Sequence, residues 1–311
     1  MPIKIPNGLP AKAILESEKI FALEEEVAEK QDIRPIRVAL LNLMPTKIET
    51  ETQILRLISK SPLQVDIDFM KVESHVSKNT SQDHLVKFYR DFKDLKHNYY
   101  DCLIITGAPV EHIDFEEVDY WEELCAIMDW SKTNVYSTLH ICWGAQAALY
   151  YHYGVNKMIL PHKVFGVFPQ VLCDEYAFLT NGFDEIHMTP HSRHTSIDEN
   201  ALAKIKSLEV LSKSTTTGSN IIATKDYRQI FILGHLEYGK NTLANEYFRD
   251  LKANKPIQIP YNYFPEDDPQ KEPILKWRSH ANLLYRNWMN FVYQITPYDL
   301  TKLEELKINK E

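Results

Sequence analysis

The 311 residues carry 43 acidic and 35 basic side chains, a formal net charge of −8, which argues against bulk attraction to nucleic acid or to an anionic membrane; an anionic substrate would need a local basic pocket. At 44% hydrophobic and 25% charged, the chain has an ordinary globular composition and the length for one large α/β domain or two small ones. The four cysteines, Cys102, Cys125, Cys142 and Cys173, fit neither a paired zinc spacing nor a disulfide framework. The opening "MPIKIPNGLP" lacks a signal peptide's apolar core, and no uncharged apolar run reaches the ~18 residues of a membrane span, so a reducing cytoplasm is the expectation.

Residues 11–31 predict a charged amphipathic helix. "IRVALLNL" (36–43) is a continuous apolar run with β-branched residues, the pattern of a strand buried on both faces. "TKIETETQILRLISKS" (46–61) predicts a helix with Thr46 as N-cap and Glu49 three residues on. "LQVDIDFMKV" (63–72) alternates as a more exposed strand should, and a helix-like stretch around 82–97 leads into the strand "YDCLIITGAPV" (100–110). A helix over 118–133, the strand "NVYSTLHIC" (134–142) and the helix "GAQAALYYHY" (144–153) follow. Strand and helix alternate at crossover spacing, which implies a mostly parallel sheet with helices on both faces. Ligands sit at the carboxyl ends of such strands, here "NLMPTK", "TGAPVE" and "ICWG". After residue 154, "LPHKVFGVFPQVL" and "TPHSRHTSI" look like strand and loop material. Residues 207–239 predict three short strands ending at His235, 242–254 a helix, 257–273 a Pro-rich loop and 274–296 a long aromatic helix. No Gly/Ser-rich linker divides the chain. The expectation is one α/β domain over 36–297, an N-terminal extension with its helix over 1–35, and a charged tail over 298–311.

"VYSTLHICWGAQAAL" carries the chemistry. A residue on the tight turn between a buried strand and a helix is held exposed at the sheet's edge, with its neighbour's backbone N–H aimed at the same space. The helix N-terminus there favours a thiolate. Cys142 fits this position. A nucleophilic cysteine needs a base, and the base an orienter. His235 closes the strand "QIFILG" and Glu237 follows two residues later. In an extended segment i and i+2 share a side, so the carboxylate reaches one imidazole nitrogen while the other faces the cysteine. His140, two residues before Cys142, is too close in sequence to serve as the base.

The elbow "CWGAQAA" together with "GHLEY" resembles the class I glutamine-amidotransferase-like (flavodoxin-like) fold, whose triad is Cys, His and Glu in that order. "VALLNLMPTKIETETQ", "LIITGAPVE", "HICWGAQAAL", "KVFGVF", "PHSRHT" and "HLEYG" together resemble the homoserine O-acyltransferase family, which begins methionine biosynthesis; the likeness runs over residues 1–297. The resemblance implies an acyl-thioester nucleophile at Cys142, His235 as base and Glu237 as its orienter. It implies oxyanion stabilisation by the Trp143 N–H and by the charge or N–H of Lys47, and substrate binding by Lys163, Ser192 and Arg249. The neighbouring His191, Arg193 and His194 are weaker candidates for anion binding. In the family a Glu at the position of Glu111 goes with acetyl transfer and a Gly with succinyl transfer, because a fixed carboxylate repels and crowds the succinyl chain's distal carboxylate. The implied reaction is ping-pong transfer from acetyl-CoA to homoserine in a homodimer, with no metal and no cofactor beyond the acyl-CoA.

Three alternatives have distinct signatures. A succinyltransferase would keep the mechanism and change the donor. A hydrolase or amidotransferase on the same fold would ignore homoserine; His140 stands where the usual elbow has its first Gly, which argues against glutamine hydrolysis. A regulatory binder would have no use for the Cys142, His235 and Glu237 set.

Overall fold

The apolar run at 36–43 divides its side chains between two cores, as a period of two requires. In β3 (Ile36–Leu41), Val38 and Leu40 join one hydrophobic cluster while Ala39 and Leu41 join the other. In β6 (Tyr100–Ile105), Cys102 and Ile104 face the first cluster and Leu103 and Ile105 the second. The helices Lys47–Ile58 and Arg278–Ile295 cover the first face, and Trp121–Asn134 and Trp143–Tyr153 the second. The computed structural model describes residues 3–17, 22–25, 34–74 and 80–303.

Among the described residues twelve strands form one sheet in the order β2-β1-β4-β3-β6-β7-β12-β11-β10-β8-β9, with β5 on β4. The parallel part comprises β1 (Ile3–Ile5), β2 (Ala22–Glu24), β3, β4 (Val65–Lys71), β5 (Tyr89–Asp91), β6, β7 (Val135–Ile141) and β12 (Gln229–Ile232). From β12 outward the pairing turns antiparallel through β11 (Gly218–Thr224), β10 (Leu208–Ser214), β8 (Lys157–Leu172) and β9 (Ile186–Ile197). The sheet is thus mostly parallel with helices on both faces, as the alternation implies.

Several local expectations change. Residues 3–5 are not outside the domain, because β1 pairs with both β2 and β4. The first helix spans Ala11–Ser17 only; 18–21 and 26–31 of the expected helix lie outside the described residues. The stretch 82–97 is two short helices, Gln82–Phe88 and Phe92–Leu95, split by β5, because Tyr89 joins the sheet beside Phe69 and its hydroxyl bonds Glu51. Thr46 makes no side-chain cap, and Glu49 turns to Gln53 and Thr242 instead of back to the helix start. In the tail, Leu300 and Leu303 are buried, while 304–311 lie outside the described residues. The aromatic helix Arg278–Ile295 covers the core: Trp288 is fully buried and donates to the Ser137 hydroxyl at 2.8 Å.

The segments "HKVFG" and "PHSRH", expected as strand and loop material, lie in the paired strands β8 and β9. Gly166 in β8 has φ +142°, and a Cβ there would meet the Tyr261 backbone at 2.4 Å. That close approach lets the Pro-rich stretch bond across β8, Tyr261 N to Phe165 O at 3.0 Å and Val167 N to Tyr261 O at 2.8 Å.

Candidate active site

The three carboxyl-end loops meet. The Leu43 N–H donates to the Thr106 hydroxyl at 2.8 Å, and a methyl placed on Gly107 would touch the Cys142 Cβ at 3.4 Å. Gly144 is where the helix closes against the neighbouring loop. A Cβ there would fall 2.5 Å from Thr106 O and 3.1 Å from Ile105 O. Gly144→Ala is therefore expected to destabilise the fold by about 1–3 kcal/mol, read as a lower midpoint in urea unfolding; an unchanged midpoint would show that the loops are not packed this tightly.

Cys142 holds φ 50° and ψ −114°, outside the regions a β-carbon favours. Its N–H bonds Ile232 O at 2.7 Å and its carbonyl accepts from Gln146 N at 3.0 Å, so sheet and helix together impose the conformation. The helix starts at Trp143, whose N–H, as a first-turn group, has no acceptor within the helix. The Trp143 ring is fully buried against Phe115 and Tyr120.

His235 lies three residues beyond the end of β12, not in it. It sits in a turn pinned by His235 N to Pro190 O at 2.8 Å and by Tyr238 N to His235 O at 3.3 Å. The strand-based reason for the His235–Glu237 pairing is thus replaced by turn geometry, but the pairing holds: Nδ1 lies 2.6 Å from Glu237 Oε1. Cys142, His235 and Glu237 are 4%, 3% and 7% exposed. Burial works against charge on His235. The Cys142 and Glu237 charges, with hydrogen bonds to both, outweigh it and hold the imidazole well above its ordinary range. Tyr238 stacks on His235 with centroids 4.1 Å apart. By contrast, His140 is fully buried, stacked on Phe231 and bonded through Nδ1 to Ile230 O, away from any role as base.

Lys163, Ser192 and Arg249 are brought together by a residue that the sequence reading missed. The Lys163 ammonium pairs with Glu246, the Ser192 hydroxyl donates to both Glu246 oxygens at 2.9 Å, and Arg249 Nη2 lies 3.8 Å from Glu246 Oε1. Glu246 lies three residues before Arg249 on the helix Thr242–Lys252; that i,i+3 spacing from a candidate Arg was its only sequence signal. Glu111 sits at the rim of the same region, accepting from the His194 N–H. The Tyr238 hydroxyl is pushed up by burial and then by the charges of Glu246, Glu237, Cys142 and Glu111.

Lys47 is the exception. Its ammonium donates to Asn42 O at 2.6 Å and Met44 O at 3.4 Å and lies over the Tyr89 ring. Burial lowers its pKa to about 8, against the opposing charge of Glu51. In this structure the ammonium is held by the 42–47 loop. Among the described residues no group of three or more His, Cys, Asp or Glu side chains is arranged to hold a metal ion, and no helix is long and apolar enough to cross a membrane.

Comparison with known proteins gives the fold and the family. Solved structures of a glutamine amidotransferase from Thermotoga maritima (TM-score 0.53, 12% identity, 83% of this chain and 98% of that one) and of the Trypanosoma brucei CTPS glutaminase domain (TM-score 0.51, 11% identity, 83% and 94%) share the fold. Curated proteins called homoserine O-acetyltransferase from Bifidobacterium adolescentis and Acetivibrio thermocellus are 58% and 54% identical; the alignments take in 100% and 98% of this chain and 90% and 100% of theirs. The family model described as homoserine O-succinyltransferase matches residues 2–298. The chain belongs to the homoserine O-succinyltransferase family.

Proposed function

We propose that this chain is a homoserine O-acetyltransferase, moving the acetyl group of acetyl-CoA through a Cys142 thioester to the homoserine hydroxyl. The observation that carries the reading is the strained, buried Cys142 at the start of its helix together with a buried His235 that Glu237 holds at 2.6 Å. The thiolate attacks the thioester carbonyl, the Trp143 N–H takes the developing oxyanion, and CoA leaves with a proton from His235. Exchange of one thioester for another is nearly isoenergetic, so orientation and oxyanion stabilisation are the main demands. The homoserine hydroxyl then gives its proton to His235 and attacks the Cys142 acyl carbon, which releases the sulfur.

Homoserine is a zwitterion. Arg249 and Lys163 supply cations for its carboxylate, and Glu246, 17% exposed at its side chain, supplies the anion for its ammonium. Ser192 orients Glu246. Lys47 acts here by holding the loop after β3. The chain works as a cytoplasmic homodimer; four free cysteines support the reducing compartment.

The family model bears the succinyl name while the relatives at 52–58% identity bear the acetyl name. Glu111 supports the acetyl reading, since a fixed carboxylate beside the site would repel and crowd a succinyl chain's distal carboxylate. Free-thiol release from acetyl-CoA and succinyl-CoA, each with and without homoserine, tests this. Homoserine-dependent release from acetyl-CoA is expected; release from succinyl-CoA alone would refute it. In Glu111→Gly the succinyl-to-acetyl ratio of kcat/KM is expected to rise by about tenfold or more, the scale of one relieved charge contact. An unmoved ratio would remove Glu111 from donor selection.

A further inference from the structure

In the state that attacks, the triad charges do not cancel. A Cys142 thiolate, a protonated His235 and the Glu237 carboxylate leave one negative charge among three buried residues. A buried net charge is strongly unfavourable without a counter-charge nearby.

The only member of "PHSRHT" that is a permanent cation, Arg193, is fully buried. Its Nη1 donates to Thr195 O at 2.5 Å, its Nη2 to Thr217 O at 2.6 Å and its Nε to His191 Nδ1 at 3.4 Å. All three acceptors are neutral, and among the described residues Arg193 makes no ion pair with a carboxylate. His191 thus lies between Arg193 Nε at its Nδ1 and the Gln170 amide nitrogen, 3.3 Å from its Nε2. Burial, then Arg193 and His235, keep His191 neutral, well below the ordinary range. The cation is therefore the guanidinium alone.

A short chain of bonds ties it to the elbow. Thr195 O, which holds Nη1, also accepts from Gln146 Nε2 at 3.4 Å, and the Thr195 hydroxyl donates to Gln146 Oε1 at 2.8 Å. Gln146 in turn bonds Cys142 O through its N–H at 3.0 Å. Burial disfavours the Arg193 charge, and the charges of Cys142, Glu111 and Glu199 oppose that effect. Both carboxylates already have donors, the His194 N–H for Glu111 and the Ser219 N–H and hydroxyl for Glu199. The charge of Cys142 acts on His235, Tyr238 and Arg193.

We infer that Arg193 is the buried counter-cation that keeps the Cys142 sulfur anionic, a positioning residue that acts through the sulfur and touches no substrate. The inference rests on the reading of Cys142 as the nucleophile. Alkylation tests it without requiring homoserine or acyl transfer. The rate of Cys142 modification by iodoacetamide is followed against pH in wild type, Arg193→Gln and Arg193→Lys, with circular dichroism to establish folding. In Arg193→Gln the profile is expected to move up by about one pH unit or more, which is about tenfold slower modification at neutral pH; Arg193→Lys, which keeps the charge, should recover most of the shift. A folded Arg193→Gln with an unmoved profile overturns the inference, as does a changed homoserine KM with the alkylation profile intact, since that would make Arg193 a substrate contact. If neither variant folds, the wild-type protein decides. Its ultraviolet thiolate absorbance minus that of Cys142→Ser must be present at neutral pH, and absence of that difference signal overturns the inference.

Discussion

Cys142→Ala is expected to lower homoserine acylation by on the order of 10⁴-fold or more, with homoserine binding retained. The size follows from what the residue does in this site. Without the sulfur there is no covalent intermediate, and the remaining groups would have to bring acyl-CoA and homoserine together for direct transfer. Lys163, Ser192, Arg249 and Glu246 do not touch Cys142 in the bonds they make, so the acceptor pocket should survive. Steady-state thiol release measures the rate and calorimetry the binding. Activity within tenfold of wild type would mean direct transfer, and loss of homoserine binding would mean that the alanine disturbs the pocket.

The second large effect is expected at Glu237→Gln, a loss on the order of 10³–10⁴-fold in kcat. Glu237 fixes the His235 tautomer through the 2.6 Å contact at Nδ1 and offsets its charge in a buried site. A glutamine offers the same shape with no charge and can present the wrong group to Nδ1. The substitution also has a pH signature. The folded-state pKa of His235 is raised above the unfolded value, so its contribution to stability is full below the ordinary histidine range and disappears as pH rises through the raised value. The gap in unfolding midpoint between wild type and Glu237→Gln should therefore be widest at mildly acidic pH and narrow as the solution becomes alkaline. A gap that widens with rising pH would contradict the assignment of the shift to a cationic His235.

Much of this was legible in the sequence, and the failures have physical causes. The parallel half could be read because each strand is an apolar run closed by a helix, and the elbow because a buried strand ending on Cys-Trp-Gly has few other uses. In the antiparallel arm β10 and β11 were legible as short strands, but β8 and β9 only as strand and loop material. β9 buries His187, Thr189, His191, Arg193 and Thr195, so its inward face is polar and its composition resembles a loop. Glu246 escaped for the same reason: it becomes a site residue only when β8 and β9 bring Lys163 and Ser192 to the helix Thr242–Lys252. The His235–Glu237 pairing was found through a strand that stops at Ile232; the turn that follows puts the two side chains together by another path. Sequence places Lys47 at the site's edge but does not reveal that Asn42 O and Met44 O take its ammonium. Strands of three residues, such as β1 and β5, are too short for any periodicity to register.

The most direct test of the central claim is the mass of the Cys142 peptide after the protein is mixed with acetyl-CoA in the absence of homoserine. The account predicts one acetyl group on Cys142, on none of Cys102, Cys125 or Cys173, and its discharge when homoserine is added. An unmodified Cys142 peptide in a preparation that still forms the acetylated product would contradict it.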